Sequence, residues 1–313
     1  MTTTLREILH ERYAVAHNLC EKSVVLVSST LDRFQLHLGR EATFDDLTDL
    51  SVIRFLRWRA VTPLHAKGVC RPATTRKDQA NIVSLWNYCA KKRLCYSSGQ
   101  MVDFPDLPRN LIRVPTRPPK AYRVEEVSAL VRAAKLKTGW IGAVPAAWFW
   151  PSLIWSLWET GERIGGHLGV TWDDVDLEQR VVTFQGGSRK DRTTTIQRMI
   201  SPELVAFLSP QKGDGDKLVW PWLLYRDYCN VFTPMKRLCV AVGITPRGFH
   251  AIRKASGSYV KRGGGDSQEH LGHANSRTTR LSYDDLDIIG RQSALDYLPP
   301  LDLGDRPPAP PAA

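Results

Sequence analysis

The chain has 313 residues, of which 42% are hydrophobic and 24% charged, and its formal net charge is +11. This is globular composition, long enough for two ordinary domains with cores of their own, and it excludes a fibrous or largely disordered chain.

The placement of the charge says more than its total. Residues 1–51 carry 5 Lys or Arg against 8 Asp or Glu, residues 52–123 carry 15 against 3, and residues 124–313 carry 23 against 21. Nearly all the excess falls in one block, the footprint of a surface that follows a polyanionic backbone.

Apolar residues recur at intervals of three and four over residues 5–19, 23–38, 50–59 and 75–94, which predicts four helices. The last of them directs Ile82, Val83, Trp86 and Cys89 toward a core, with Arg76, Lys77, Lys91, Lys92 and Arg93 at its ends. Those five cations are candidate DNA contacts on the basic side of a small helical domain, residues 1–110. Five prolines between residues 105 and 119, interspersed with Arg109, Arg113 and Arg117, mark an extended, positively charged linker that we place at 111–122.

A second domain, residues 123–298, opens on Arg123-Val-Glu-Glu, a helix start with acidic residues where the dipole favours them. Residues 141–158 are rich in Trp and Leu but interrupted by Pro145 and Pro151, so they read as a buried helix rather than a membrane span. Residues 181–184 and 193–196 alternate and are β-branched, with a hairpin turn over residues 186–191 that carries Arg189, Lys190 and Arg192 nearby. Ser201-Pro202-Glu203 starts another helix with a serine cap and proline at its first position. Gly263-Gly-Gly265 lacks a following Gly-Lys-Ser/Thr and reads as a turn, and the Pro- and Ala-rich residues 299–313 read as a disordered tail. The fold class is therefore mainly α: a helical N-terminal domain, then a mostly helical domain with one small antiparallel β-sheet.

Six cysteines without a Cys-x-x-Cys pair, and a start that is charged and amphipathic rather than apolar, predict a cytoplasmic protein with reduced thiols. Neither a metal-ligand spacing nor a phosphate-binding glycine loop is present, so no metal and no cofactor is implied.

The residues that carry chemistry lie late in the chain: Arg163 in Thr160-Gly-Glu-Arg, His250-Ala-Ile-Arg253, Leu271-Gly-His273, and Tyr283. Two guanidiniums can clamp one phosphate with planar hydrogen bonds and never lose their charge. Histidines can hold or move protons near neutral pH, and a tyrosine hydroxyl, given help in losing its proton, can attack phosphorus. Arg163 and Arg253 are candidates for stabilising the charge that builds on the phosphate, Tyr283 for the nucleophile, His250 for its proton acceptor and His273 for a phosphate partner.

The order Arg163, hairpin lysine, His250-x-x-Arg253, Leu-Gly-His273 and Tyr283, with Val170-Thr-Trp-x-Asp174-Val-Asp-Leu177 after the first arginine, resembles the tyrosine recombinase, or phage integrase, family. The resemblance spans residues 160–283 and implies the DNA breaking-rejoining fold, with residues 1–110 as a core-binding (SAM-like) domain that closes a C-shaped clamp on double-stranded DNA. It implies site-specific cutting and rejoining through a 3′-phosphotyrosine without metal, a homotetramer on DNA at synapsis, and a role such as integration or excision of a mobile element. It also assigns the leaving oxygen's proton to a hairpin lysine, for which Lys190 is the candidate, although the turn can be aligned with a glycine in that place. Three features depart from the pattern. Gly166 stands where the family commonly has an acidic residue, Lys254 replaces a histidine, and ten residues separate His273 from Tyr283, one more than the commonest interval. The competing tyrosines are Tyr259 and Tyr297. The alternative function is a catalytically inactive, integrase-like DNA-binding protein with an architectural or regulatory role; a topoisomerase-like activity is a third.

Overall fold

A computed structural model describes residues 3–63, 68–108, 111–115, 118–188 and 194–290. The chain divides into two compact units, Met1–Thr116 and Arg117–Ala313.

The first unit is helical. Thr4 caps α1 (Leu5–Ile8) through a reciprocal pair with Glu7, after which the helix widens into a π-turn over Leu9–Tyr13 and ends as the short α2 (Ala14–Ala16). It is followed by α3 (Glu21–Leu38), α4 (Asp49–Val61) and α5 (Pro72–Lys91), with α5 packed on both α3 and α4. Its core holds Leu31, Phe34, Phe55, Leu56, Ile82, Leu85, Trp86 and Cys89. Val83 is only partly buried, and Leu85 takes the position facing inward.

Part of the basic block is structural. Asp78, 2% exposed, accepts from Thr30 Oγ1 at 2.9 Å, Arg33 at 2.8 Å and Arg59 Nε at 3.1 Å. Arg59 is itself buried, so its charge balances a carboxylate and does not reach a partner. By contrast Arg76, Lys77, Lys91, Lys92 and Arg93 are exposed.

The second unit is built on α7 (Ala146–Thr160), apolar on nearly every side, with Phe149, Leu153, Ile154 and Leu157 fully buried. On it pack α6 (Val124–Ala134), α8 (Ile164–His167), α9 (Pro202–Leu208) and α12 (Phe249–Arg262), and the unit also holds α10 (Trp222–Tyr225), α11 (Phe232–Ala241), α13 (Ser267–Leu271), α14 (Ser276–Ser282) and α15 (Leu286–Ile289). Ser201 caps α9 by accepting from the Leu204 amide, the cap its sequence predicts. Among the described residues no helix is long and apolar enough to cross a membrane.

Where the sequence predicts one sheet, the described residues form two. β1 (Trp140–Ile141) and β2 (Val144–Pro145) make a small hairpin, and β3 (Val175–Asp176), β4 (Val181–Phe184) and β5 (Ile196–Met199) form an antiparallel sheet in that order. The last strand begins where its prediction ends. Phe184 pairs with Ile196, and Thr195 is spent earlier, accepting the Gly186 amide on its hydroxyl at 3.1 Å. Alternation on β4 turns Val182 and Phe184 into the core.

Asp78→Ala leaves Arg59 buried without its counter-charge and should cost about 3–5 kcal/mol, as for other broken buried pairs. Amide exchange of α5 in the full chain checks this; unchanged protection would mean that Arg59 finds water on its own.

Candidate active site

Three short stretches and one helix bring the candidate residues together. α7 ends at Gly161 with φ of 61°, a left-handed turn that also admits no side chain, because a Cβ there would lie 2.6 Å from His270 Nε2. The chain then reverses through Glu162 and Arg163, which precedes α8. Asp266 caps α13 through the Gln268 and Glu269 amides, Gly272 ends it at φ of 60°, and Asn275 caps α14. The result places His273 between two short helices and Tyr283 at the end of the second. α12 carries His250 and Arg253 one turn apart and packs on α7, α13 and α15.

Arg253 joins these pieces. Its side chain is 1% exposed. Nη1 donates to the Gly161 carbonyl, and Nη2 donates to the Leu271 carbonyl at 2.6 Å and to His273 Nε2 at 3.0 Å. An arginine has no acceptor, so His273 Nε2 must be unprotonated and Nδ1 must carry the hydrogen, which it donates to Thr279 Oγ1 at 2.8 Å. His273 is thus held as one neutral tautomer. Burial, then the charges of Arg253 and Arg163, push it down to about 4.

Tyr283 is 5% exposed, with its ring 4.3 Å from that of His273, 5.0 Å from that of His250 and 5.4 Å from the Arg253 guanidinium. Its carbonyl accepts from Ser258 Oγ at 3.0 Å, and the same hydroxyl accepts from the Asp285 amide at 3.0 Å. The ten-residue interval after His273 is therefore compatible with a tyrosine fixed against α12. Tyr259 turns elsewhere: its hydroxyl accepts the Val124 amide at 3.1 Å. Tyr297 lies outside the described residues.

His250 is an exposed residue of α12, yet desolvation by the groups around its ring, followed by Lys254, Arg253 and Arg163, brings it down to about 4. Arg163 keeps a side chain 31% exposed, with Nη1 3.8 Å from Glu162 Oε1. Lys190, Arg189 and Arg192 lie outside the described residues.

Two residues that the sequence does not single out support Arg163. His167, fully buried, donates from Nδ1 to the Arg163 carbonyl at 3.2 Å and accepts at Nε2 from Ser156 Oγ at 3.0 Å, since the Thr160 hydroxyl is committed to the Ser156 carbonyl. Glu162, 1% exposed, accepts the Arg163 amide at 2.8 Å. The only sequence signal for either is proximity to Arg163.

Burial is the first cause of the lowered pKa of His167, His250, His270 and His273, each brought to about 4. An imidazole in the unfolded chain takes its proton near the ordinary value of about 6.5. Between those values the unfolded state binds more protons, so stability is present above about pH 6.5 and is lost as pH falls toward 4. Urea midpoints measured from pH 8 to 4.5 should be level at first and then fall. A flat curve would mean that these rings are charged in the folded protein.

Residues 123–287, more than half of the chain, match the profile described as the Phage integrase family. Tyrosine recombinase XerD of Mycobacterium leprae is 27% identical over 197 residues, covering 54% of this chain and 59% of its own. The chain thus spans less than two thirds of that relative. Among solved structures, the Tn1549 transposon integrase in complex with transposon right end DNA superposes with a TM-score of 0.69 at 13% identity, covering 94% of this chain and 97% of that one. A lambda integrase tetramer bound to a Holliday junction gives 0.62 at 14% identity, covering 93% and 80%. These two likenesses establish a shared fold, and the profile match establishes that the chain belongs to the phage integrase family.

Proposed function

We propose that this chain is a site-specific DNA recombinase that cuts and rejoins DNA through a 3′-phosphotyrosine intermediate. The observation that carries the reading is the packing of the Tyr283 ring against His250, His273 and Arg253. In the cleavage step the Tyr283 oxygen bonds to phosphorus, the bond from phosphorus to the 5′ oxygen breaks, and that oxygen takes a proton. His250, neutral at physiological pH, receives the proton leaving the tyrosine. Arg163 and Arg253 bear on the phosphate oxygens, where negative charge grows in the transition state. Lys190 is the proposed donor to the leaving oxygen, on the strength of the sequence alone. Rejoining reverses the step with a new 5′ hydroxyl, so neither metal nor nucleotide enters it.

The lambda integrase that shares this fold is seen as a tetramer bound to a Holliday junction. We extend this to the present chain as a homotetramer on double-stranded DNA, acting in the cytoplasm where it meets the nucleoid. The proposed division assigns residues 1–110 to backbone binding, 111–122 to the linker, 123–298 to catalysis and 299–313 to a tail. Arg76, Lys77, Lys91, Lys92 and Arg93, exposed near the two ends of α5, are the proposed phosphate contacts. Arg189 and Arg192 are proposed from the sequence as further contacts beside the site.

Tyr283→Phe should abolish the covalent adduct on a nicked suicide duplex and leave DNA binding nearly unchanged. Arg163→Ala should slow adduct formation by roughly 3 kcal/mol in the barrier, the scale of other preorganised donors. An adduct recovered from the Phe protein would sink the nucleophile assignment, and absence of an adduct from the unaltered protein would favour an inactive DNA-binding role.

Neutralising Arg76, Lys77, Lys91, Lys92 and Arg93 together should weaken binding to unrelated duplexes alike. The plot of log affinity against log salt should flatten by roughly one unit per lost phosphate contact. An unchanged slope would place the DNA on another surface.

A further inference from the structure

Glu162 is a fully buried acid at the centre of a cationic site. Its Oε2 lies 3.8 Å from Arg253 Nη1 and its Oε1 lies 3.8 Å from Arg163 Nη1, while Oε1 also accepts the Arg163 amide at 2.8 Å. One carboxylate therefore stands between the two guanidiniums that the proposed reaction needs. The glycine at residue 166 packs closely against this side chain. A Cβ on Gly166 would come within 3.1 Å of Glu162 Cγ and 3.6 Å of a Phe184 ring carbon.

Two like charges converging in a buried site repel each other, and each would swing toward solvent or another acceptor unless something between them holds both. Arg253 cannot swing far, since carbonyls of Gly161 and Leu271 anchor it. Arg163, with 31% of its side chain exposed, can. We propose that Glu162 is a positioning residue for the phosphate clamp, its carboxylate bridging Arg163 and Arg253 so that both aim at one phosphate, with Gly166 clearing the space that the carboxylate fills. The inference rests on the recombinase reading above and deepens it.

The balance of charge gives the proposal a signature. The carboxylate of Glu162 offsets part of the positive charge that Arg163 and Arg253 bring to a site whose histidines are held neutral. Removing the carboxylate raises the local positive charge, so binding of the anionic substrate is kept or strengthened while the geometry needed for attack is lost. A structural defect would instead weaken binding and turnover together.

The test is single-turnover adduct formation on a nicked suicide duplex, run over a range of DNA concentrations. Glu162→Gln preserves shape and removes charge; its maximal rate should fall roughly 100-fold, the loss expected from small misplacements of reacting groups, with the half-saturating DNA concentration unchanged or lower. A maximal rate within about threefold of the unaltered protein would overturn the proposal, as would equal losses in rate and affinity. The second variant moves the charge: Glu162→Ala with Gly166→Glu empties the space and refills it from α8, and should recover to within about tenfold of the original rate. If Glu162→Gln does not fold, this double variant decides. Failure of the double variant to fold or to cleave would overturn the proposal, because a carboxylate in the same space should hold the same arginines. If the unaltered protein itself makes no adduct, the recombinase reading fails instead. Clamp geometry is then read by the guanidinium NMR signal of Arg163, whose exchange with water should quicken in Glu162→Gln; equal exchange would overturn the positioning role.

Discussion

The buried guanidinium of Arg253 holds the candidate site of the second unit together. Its donors reach Gly161, which caps the end of α7, and the Leu271 carbonyl and His273 imidazole at the end of α13, joining two segments that are distant in sequence. Each acceptor is a group that would otherwise be left unsatisfied in the interior, so the arginine and its carbonyls need one another. The same contacts that fix the guanidinium thus stabilise the fold around it. Such a site cannot readily drift without unfolding its supports.

Protonation follows from this arrangement. An arginine that donates to His273 Nε2 fixes that ring as a neutral tautomer, and its positive charge helps keep it so. His250 is held neutral by partial burial and by Lys254, Arg253 and Arg163. The site is accordingly rich in permanent cations and poor in titrating ones near neutral pH. That suits a reaction that needs a proton acceptor beside the nucleophile and fixed positive charge around the phosphate.

Much of this was legible in the sequence, because the chemistry-bearing residues are few in type and ordered along the chain. Arginine, histidine and tyrosine at 163, 250, 253, 273 and 283 carried enough information for the class of chemistry, and period-three-and-four patterns carried the helices. The boundaries were less legible where two readings alternate equally well. Thr193 to Ile196 and Ile196 to Met199 both suit a strand, and only the pairing of Phe184 with Ile196 chooses between them. The two-residue strands at 140–145 are too short to generate a pattern at all. The charge block reads as surface, yet Arg59 is consumed by Asp78, a pairing across 19 residues that composition cannot reveal.

Glu162 illustrates the deeper limit. Beside Arg163, Glu162 carries no signal of its own in the sequence, and Gly166 stands out only as a departure from the family pattern. The two observations meet in space: a Cβ on Gly166 would lie 3.1 Å from Glu162 Cγ, so a side chain at 166 would crowd the inward-turned glutamate. Charge in a buried site is specified by where it can be placed relative to its partners, and the chain can meet that requirement from either side of the turn. A position-by-position comparison registers a loss at one residue and an unremarkable glutamate at another, whereas the electrostatics of the pair can be conserved across both.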